Sequence, residues 1–374
     1  MKIEELAYWV TLSHLKGINY ETKNKWISMF LDSGLNIIDF INNENNWNKL
    51  YNISQIEIEK LKKAKEDLVN NSFLVESLTN QGFQIIPVIS DAYPALLKKN
   101  LKFKSPSVVY CKGNTDLLKE KSVAVVGSRK AGEVSLEFTD NVVKKCTEEY
   151  KVIVSGFAKG VDRRSLETSI DCTGQSIIVL PQGITTFTSG YKKYYKQIID
   201  GDVLVISTYH PNAGWSAGLA MARNAIIYAL GEEIYVAESD NKGGTWNGVI
   251  NGLKINRTIK VRNPEKEEKN ANLLLIKKGA QPVDLFGETT IVSDDVRESL
   301  HDENNVIKKV IELFKKKEKE DMFGEPPELT SKEIVDFLRL EEYITNRKLT
   351  NLLKSSKGFI HKKKLNKIFF SLNY

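Results

Sequence analysis

Residues 121–156 read KSVAVVGSRKAGEVSLEFTDNVVKKCTEEYKVIVSG. The apolar, β-branched run 123–126 predicts a buried parallel strand, and Gly127 then begins a turn. A helix is predicted next, because apolar residues recur at near-helical spacing: Val134, Phe138, Val142 and Cys146. A second apolar run at 152–154 predicts another strand. Strand, glycine turn, helix and strand together predict one βαβ unit with a right-handed crossover.

The same alternation of strand and helix patterns continues on both sides of this unit. Later strand-like runs are found at 177–180, 203–207, 234–237 and 258–261, and earlier ones at 83–88 and 105–113. Such alternation predicts the α/β class, with a Rossmann-like, doubly wound and mainly parallel sheet. In folds of this kind the ligand lies outside the carboxyl ends of the strands. The loops that follow the predicted strands are therefore the candidate site.

Patterns outside the sheet predict the rest of the domain organisation. Residues 1–80 show helical periodicity without strand-like alternation, as in a helical SAM-like or helix-hairpin-helix-like module. The Rossmann-like core is predicted at 81–286, and the strongly charged residues 287–327 predict a linker. Residues 328–374 carry two helical segments and a basic end, which predict a winged-helix-like domain.

Composition restricts the class and the compartment of the protein. The chain has 374 residues, of which 41% are hydrophobic and 27% charged, as is typical of soluble globular proteins with several domains. No apolar run reaches the ~18 residues of a membrane span, and the amino terminus lacks a signal-peptide pattern. We therefore expect a cytoplasmic protein, with no membrane partner and with reduced cysteines. The net charge of +6 permits a polyanionic partner.

Two loops after predicted strands have the residues of an anion site. In Gly127-Ser128-Arg129, backbone N–H groups can approach a phosphate, and Arg129 adds a fork-shaped cation. In the loop 155–162, two glycines and Lys159 precede a helix that Asp162 is placed to cap. The alternative is that each loop is a simple turn with a surface cation. The dinucleotide fingerprint G-x-G-x-x-G is absent from the sequence, which argues against NAD.

Three further segments offer candidate residues. Arg223-Asn224 lies in a predicted helix rich in small residues, where the arginine could reach a phosphate or form a structural pair. Glu238 ends a strand and could act as a general acid or base, bind a sugar or a base edge, or cap the following turn. The segment 242–245, Lys-Gly-Gly-Thr, precedes another predicted helix. Each segment has a structural interpretation beside the functional one.

The sequence contains no convincing catalytic constellation. Its four histidines lack Cys, Asp or Glu partners at metal-ligand spacing, and the sequence has neither a G-x-S-x-G elbow nor a Walker A lysine motif. The site is therefore predicted to bind phosphates rather than to activate a nucleophile. We expect no cofactor and do not assign an enzymatic reaction.

The order of these motifs resembles the DNA-processing protein A (Smf) family, whose core is a modified Rossmann fold. The segments that carry the resemblance are Asp91-Ala92-Tyr93-Pro94, 106–113, 123–129, 154–162, Arg223-Asn224, 242–245 and 274–283. The resemblance implies single-stranded DNA binding at the strand ends, in a homodimer that protects DNA during transformation or recombination and helps to load a RecA-type recombinase. Carried over by position, the residues that would bind DNA are Gly127, Ser128, Arg129, Ser155, Gly156, Lys159, Gly160, Asp162, Arg223, Asn224, Lys242, Gly243, Gly244 and Thr245.

The sequence also departs from the family pattern. Leu166 stands where the family usually has histidine, Gly243 replaces a usual serine, and Asn263-Pro264 replaces a usual Pro-Gly. The loop after Gly183 lacks the usual Tyr-Pro. These departures suggest a divergent paralogue, for example one with a role in phage defence.

A rival interpretation is a nucleotide-binding sensor or a nucleotide N-glycosidic hydrolase of the same superfamily. Such proteins have a related glycine loop and a catalytic Glu, for which 243–245 and Glu238 would serve. The missing Arg-plus-Glu helix motif favours DNA binding over this alternative.

Overall fold

The computed structural model describes residues 2–265, 268–290, 307, 310–315, 317, 328–338, 346–356, 359–364 and 367–372. The chain divides into two compact units, Met1–Thr290 and Ile291–Tyr374. Most of the predicted linker 287–327 lies outside the described residues.

Helices occupy the chain up to residue 80. They are α1 Ile3–Ser13, α2 Tyr20–Asp32, α3 Ile37–Asn42, α4 Trp47–Tyr51, α5 Gln55–Glu66 and α6 Leu68–Asn80. Capping boxes begin two of them: Asn36 with Asp39 at α3, and Ser54 with Glu57 at α5. The helices pack around buried aromatic rings, and the same apolar core continues into the sheet. The predicted boundary at residue 80 remains a prediction.

The central sheet is built from nine short strands. They are β1 Gln84–Pro87, β2 Val108–Lys112, β3 Ser122–Val126, β4 Val152–Ser155, β5 Ser176–Val179, β6 Val203–Ser207, β7 Glu233–Val236, β8 Thr258–Arg262 and β9 Gln281–Val283. Their order across the sheet is β1-β2-β6-β5-β4-β3-β7-β8-β9. The strands from β3 to β9 pair in parallel, whereas β1 and β2 form an antiparallel edge. The predicted mainly parallel α/β fold is confirmed.

Helices cover both faces of this sheet. They are α7 Ala95–Leu101, α8 Glu133–Glu148, α9 Val161–Asp171, α10 Thr188–Lys193, α11 Tyr195–Asp200, α12 Ala217–Leu230, α13 Gly244–Lys254 and α14 Asn272–Lys277. Alternate residues of β3 enter different cores: Val123 and Val125 pack with α8, and Ala124 and Val126 pack with α12. A strand buried on both faces reads as a continuous apolar run, which is why the sequence signal at β3 is clear.

The strand order creates a switch point beside β3. From β3 the chain moves outward through β4 and β5 to β6, and it then returns to place β7 on the other side of β3. The loops after β3 and β7 therefore leave neighbouring strand ends toward opposite sides of the sheet. In doubly wound folds a crevice opens at such a point, and ligands bind there.

The second unit contains a small sheet and two described helices. The elements are β10 Leu329–Thr330, α15 Ser331–Leu338, α16 Asn346–Ser355, β11 Phe359–Lys364 and β12 Lys367–Leu372. The strands pair antiparallel in the order β10-β12-β11, over a core that includes Ile334, Leu349, Leu353 and Phe370. Residues 339–345, on which parts of both predicted helical segments fall, lie outside the described residues. The winged-helix-like assignment remains a prediction.

Candidate functional site

A cavity of about 490 Å³ lies at the switch point. Its walls come from the loops after β3, β4 and β7 and from the helices α9, α12 and α13. Ten of the fourteen predicted residues line it: Gly127, Ser128, Arg129, Asp162, Arg223, Asn224, Lys242, Gly243, Gly244 and Thr245. The other four are not among the lining residues: Ser155, Gly156, Lys159 and Gly160.

Hydrogen bonds hold the loops around the cavity to one another. The Ser128 N–H donates to the carbonyl of Glu238 over 2.9 Å, and the Val161 N–H donates to the carbonyl of Ser128 over 3.3 Å. The Thr245 hydroxyl donates to the carbonyl of Gly127 over 3.2 Å. The loops after β3, β4 and β7 therefore form one connected rim, although they are far apart in the sequence.

Gly160 lets two of these loops approach closely. Its φ is +78°, and a Cβ there would lie 2.3 Å from the carbonyl oxygen of Ser128. Gly160 is also the N-cap of α9. The structure therefore corrects the expectation that Asp162 caps this helix, because Asp162 lies inside the first turn, where its side chain is buried.

Asp162 and Arg223 form a buried pair at the cavity wall. The Asp162 carboxylate lies 3.8 Å from a guanidinium nitrogen of Arg223. Arg223 also donates to the carbonyl of Val179 over 2.7 Å. Burial raises the pKa of Asp162 and lowers the pKa of Arg223, while the attraction between the two charges opposes both shifts. Arg223 thus has the structural pair that was the alternative to direct phosphate binding.

The remaining predicted residues of the loop 155–162 build the loop rather than line the cavity. The Ser155 hydroxyl is buried and donates to the carbonyl of Val125 over 2.9 Å. Gly156 lies against the guanidinium of Arg223, and Lys159 is exposed outside the cavity wall.

Three exposed cations surround the cavity. Arg129, Lys130 and Lys242 all line it, and no carboxylate oxygen of the described residues lies within 4 Å of their charged groups. The acidic lining residues are the buried Asp162 and the exposed Asp240. Sequence reasoning missed Lys130, although it directly follows Arg129. A phosphate in this cavity would lie near these three cations.

The Glu238 side chain forms hydrogen bonds with the start of α8. Its carboxylate accepts the Gly132 N–H over 3.0 Å and the Ser135 hydroxyl over 2.9 Å. Arg262 in turn donates to the Ser135 hydroxyl oxygen over 2.9 Å and pairs with Glu268. Glu238 does not line the cavity. These contacts favour a structural role over acid–base chemistry, but the segment that the carboxylate holds is the start of α8 and not the turn that follows β7.

In the part of the chain that the structure describes, no three His, Cys, Asp or Glu side chains are grouped so as to hold a metal ion. All three cysteines are free, and burial raises the pKa of Cys146 to about 11, so that its thiol is neutral. None of the described helices combines the length and the apolar character needed to cross a membrane.

The sheet order, the switch-point cavity and the glycine loops define a Rossmann-like protein with a cavity at its strand ends that exposed cations line. The model of the family described as DNA recombination-mediator protein A matches residues 84–293 of the 374, which is more than half of the chain. The chain belongs to this family. The resemblance inferred from the motifs is confirmed.

Individual relatives agree with this assignment. The chain is 33% identical over 165 residues to the DNA processing protein DprA of Streptococcus pneumoniae, covering 44% of this chain and 57% of that protein. It is 28% identical over 183 residues to the DprA of Bacillus subtilis, covering 48% and 60% respectively. The chain thus spans less than two thirds of the length of these two relatives.

A solved structure extends the comparison to the fold. The X-ray structure of DNA processing protein A from Streptococcus pneumoniae is 26% identical and gives a TM-score of 0.56. The match covers 76% of this chain and 95% of that one.

Proposed function

We propose that the protein binds single-stranded DNA at the switch-point cavity, as a DNA-processing protein of its family. The observation that carries this proposal is the group of exposed cations, Arg129, Lys130 and Lys242, around one cavity that glycine loops line. Cations that neutralise phosphates release counterions, which gives affinity with little sequence preference. Protection of the strand, help in loading a RecA-type recombinase and action as a homodimer are parts of the same proposal, and they rest on family resemblance.

The rival nucleotide hydrolase is less well supported. A catalytic Glu must reach the bond that it cleaves, but the Glu238 carboxylate accepts two hydrogen bonds from the start of α8 and does not line the cavity. The Asp162 carboxylate is buried against Arg223. Glu238 and Asp162 are therefore held by structural contacts, which favours binding over chemistry at these two acids.

The second unit carries further exposed cations that could contact nucleic acid. Arg347 and Lys354 of α16 and Lys363 of β11 are exposed. We propose that residues 328–374 are a winged-helix-like domain that adds a second contact with nucleic acid.

Salt-titrated binding tests the main proposal. Fluorescence anisotropy of the full chain with labelled single-stranded DNA, duplex DNA and free nucleotides should show the tightest binding for the single strand. Arg129→Ala should weaken this binding and reduce the slope of log K against log salt by about 0.7, the value for one lost phosphate contact. Lys63→Ala is the matched control, because Lys63 is an exposed cation of α5 that does not line the cavity.

Two results would contradict the proposal. The first is single-strand affinity that responds neither to salt nor to Arg129→Ala. The second is turnover of a free nucleotide that disappears in Glu238→Ala, which would instead support the hydrolase.

A further inference from the structure

A second groove adjoins the switch-point cavity. Its volume is about 990 Å³, and it shares four lining residues with the cavity: Met221, Asn224, Tyr228 and Gly244. Other lining residues come from α12, from α13 and its end, and from residues 99–104 at the end of α7. Because α12 packs against both α7 and α13, it lies between these two walls. We call this space the side groove. The cavity and the side groove therefore adjoin at these four shared residues.

The side groove is strongly basic. Lys99, Lys102, Lys104 and Lys254 are exposed along it, and no carboxylate oxygen of a described residue lies within 4 Å of their ammonium groups. The acidic residue that lines the groove, Glu21, is already paired with Lys25 over 3.0 Å. Four cations on one groove attract a polyanion and raise its local concentration.

The groove also presents amide and apolar side chains between its cations. Asn247, Asn251 and Ile255 lie at intervals of four residues along α13 and its end, and all three are exposed. Exposed fractions are 48% for Phe103, 58% for Met221 and 55% for Ile255. A charged groove with aromatic and apolar faces is typical of sites that bind unpaired bases along with their backbone. An acidic peptide would use the lysines but would gain nothing from stacking on Phe103.

We propose that a bound single strand of DNA passes from the switch-point cavity across Asn224 and Gly244 and continues along the side groove. Its phosphates lie on Lys102 and Lys254, and a base lies on the ring of Phe103. This inference rests on the proposed function and extends it. The DNA site is longer than the cavity, and its second half is formed by residues outside the motifs that indicated the family.

Oligonucleotide length separates the two halves of this site. Labelled oligonucleotides of about 4 and about 16 nucleotides cover the range of known single-strand site sizes. Each is titrated with the full chain at several salt concentrations. The double variant Lys102→Gln with Lys254→Gln should lower the salt slope for the long oligonucleotide by about 1.4, since each lost contact to single-stranded DNA lowers it by about 0.7. The short oligonucleotide, which the cavity alone can hold, should keep its wild-type slope.

Two further variants provide a charge control and a test of base stacking. Lys63→Gln with Lys192→Gln removes two exposed cations that line neither space, and it should leave both slopes unchanged. Phe103→Ala should weaken the long oligonucleotide about tenfold, as expected for the loss of one stacked base. The same variant should not alter binding of poly-glutamate.

The outcomes distinguish failure of this inference from failure of the proposed function. Suppose that the wild-type protein binds the short oligonucleotide in a salt-dependent way. If the Lys102/Lys254 double variant then leaves the salt slope for the long oligonucleotide unchanged, the side groove is not part of the DNA site. A second result would also overturn the inference. If the Lys102/Lys254 double variant weakens binding of both the long oligonucleotide and poly-glutamate, and Phe103→Ala weakens neither, the groove is a general polyanion surface. If the wild type binds neither oligonucleotide, the proposed function fails first.

Discussion

Arg223 occupies the space that a side chain at position 156 would need. A Cβ built on Gly156 would lie 1.8 Å from a terminal guanidinium nitrogen of Arg223, which is itself buried and hydrogen-bonded to Val179. The guanidinium cannot move away without giving up its contacts with Asp162 and Val179. Glycine at this position is therefore required by packing of the loop against α12, rather than by contact with a ligand.

We predict that Gly156→Ala lowers the free energy of unfolding by about 1–3 kcal/mol, the usual cost of overpacking. Urea denaturation followed by circular dichroism measures the change. Gly214→Ala is the matched control, since nothing lies within 4 Å of a Cβ built there, and its effect should stay within about 0.5 kcal/mol. Equal stability of the two variants would show that the Arg223 guanidinium shifts at little cost. That result would contradict the requirement for glycine at position 156.

At the scale of elements, β7 positions the start of α8 through one carboxylate. Glu238 follows β7 and accepts hydrogen bonds from Gly132 and Ser135, at the amino-terminal end of α8. The carboxylate satisfies donors that have no partner inside the helix, and its negative charge opposes the positive end of the helix dipole. The backbone carbonyl of the same residue holds Ser128 in the cavity rim. One residue thus fixes the geometry of the β3 loop from both sides.

We predict that Glu238→Ala destabilises the protein by about 1–2 kcal/mol, because two hydrogen bonds to a charged acceptor are lost at a helix end. Denaturant unfolding measures this cost. Glu232→Ala, which removes an exposed carboxylate just before the same strand, should have little effect. The salt slope of DNA binding should remain at the wild-type value in Glu238→Ala, since no cation of the cavity is removed. A fully stable Glu238→Ala protein would argue against the structural role.

At the scale of the whole Met1–Thr290 unit, the amino-terminal helices are joined to the sheet through a histidine. His14 follows α1, its Nε2 lies 2.7 Å from the hydroxyl of Tyr110 on β2, and its ring lies 5.1 Å from that of His210. Burial, together with the nearby His210 and Lys23, lowers the pKa of His14 to about 3. His14 is therefore neutral in the folded protein over the ordinary pH range.

This contact predicts a stability that falls on acidification. Below the ordinary histidine pKa of about 6.5, His14 is protonated in the unfolded chain. In the folded chain it stays neutral until the pH falls to about 3. Stability is therefore full above pH 6.5 and falls by up to about 1.4 kcal/mol for each pH unit below it. Unfolding free energies measured between pH 5 and pH 8 test this, with His14→Gln as a hydrogen-bonding variant that does not titrate. His210, whose pKa is also lowered by burial, contributes to the slope that remains in His14→Gln. The same slope in wild type and variant would contradict the assignment to His14.

The sequence by itself determined the class of fold and the family. Buried parallel strands are apolar on both faces, so β3, β4 and β6 appear as uninterrupted runs that need no knowledge of their neighbours. Loops that approach a phosphate or another backbone closely require glycine, so the loops at 127 and 243 are also visible in the sequence. All fourteen candidate residues came from the sequence and the family resemblance, and ten of them line the switch-point cavity.

Only the tertiary structure decided which of these residues share one space. Strand order places β7 beside β3, which brings Lys130 and Lys242 to one cavity and leaves Lys159 outside it. Packing of α12 against α7 and α13 brings Lys102 near Lys254 in the side groove, although the two are distant in the sequence. Periodicity specifies which side of an element is buried, but not which element covers it. That choice depends on the long-range packing of helices and strands. It leaves Arg129, Lys130 and Lys242 exposed at the cavity, buries Asp162 against Arg223, and places the Glu238 carboxylate at the start of α8.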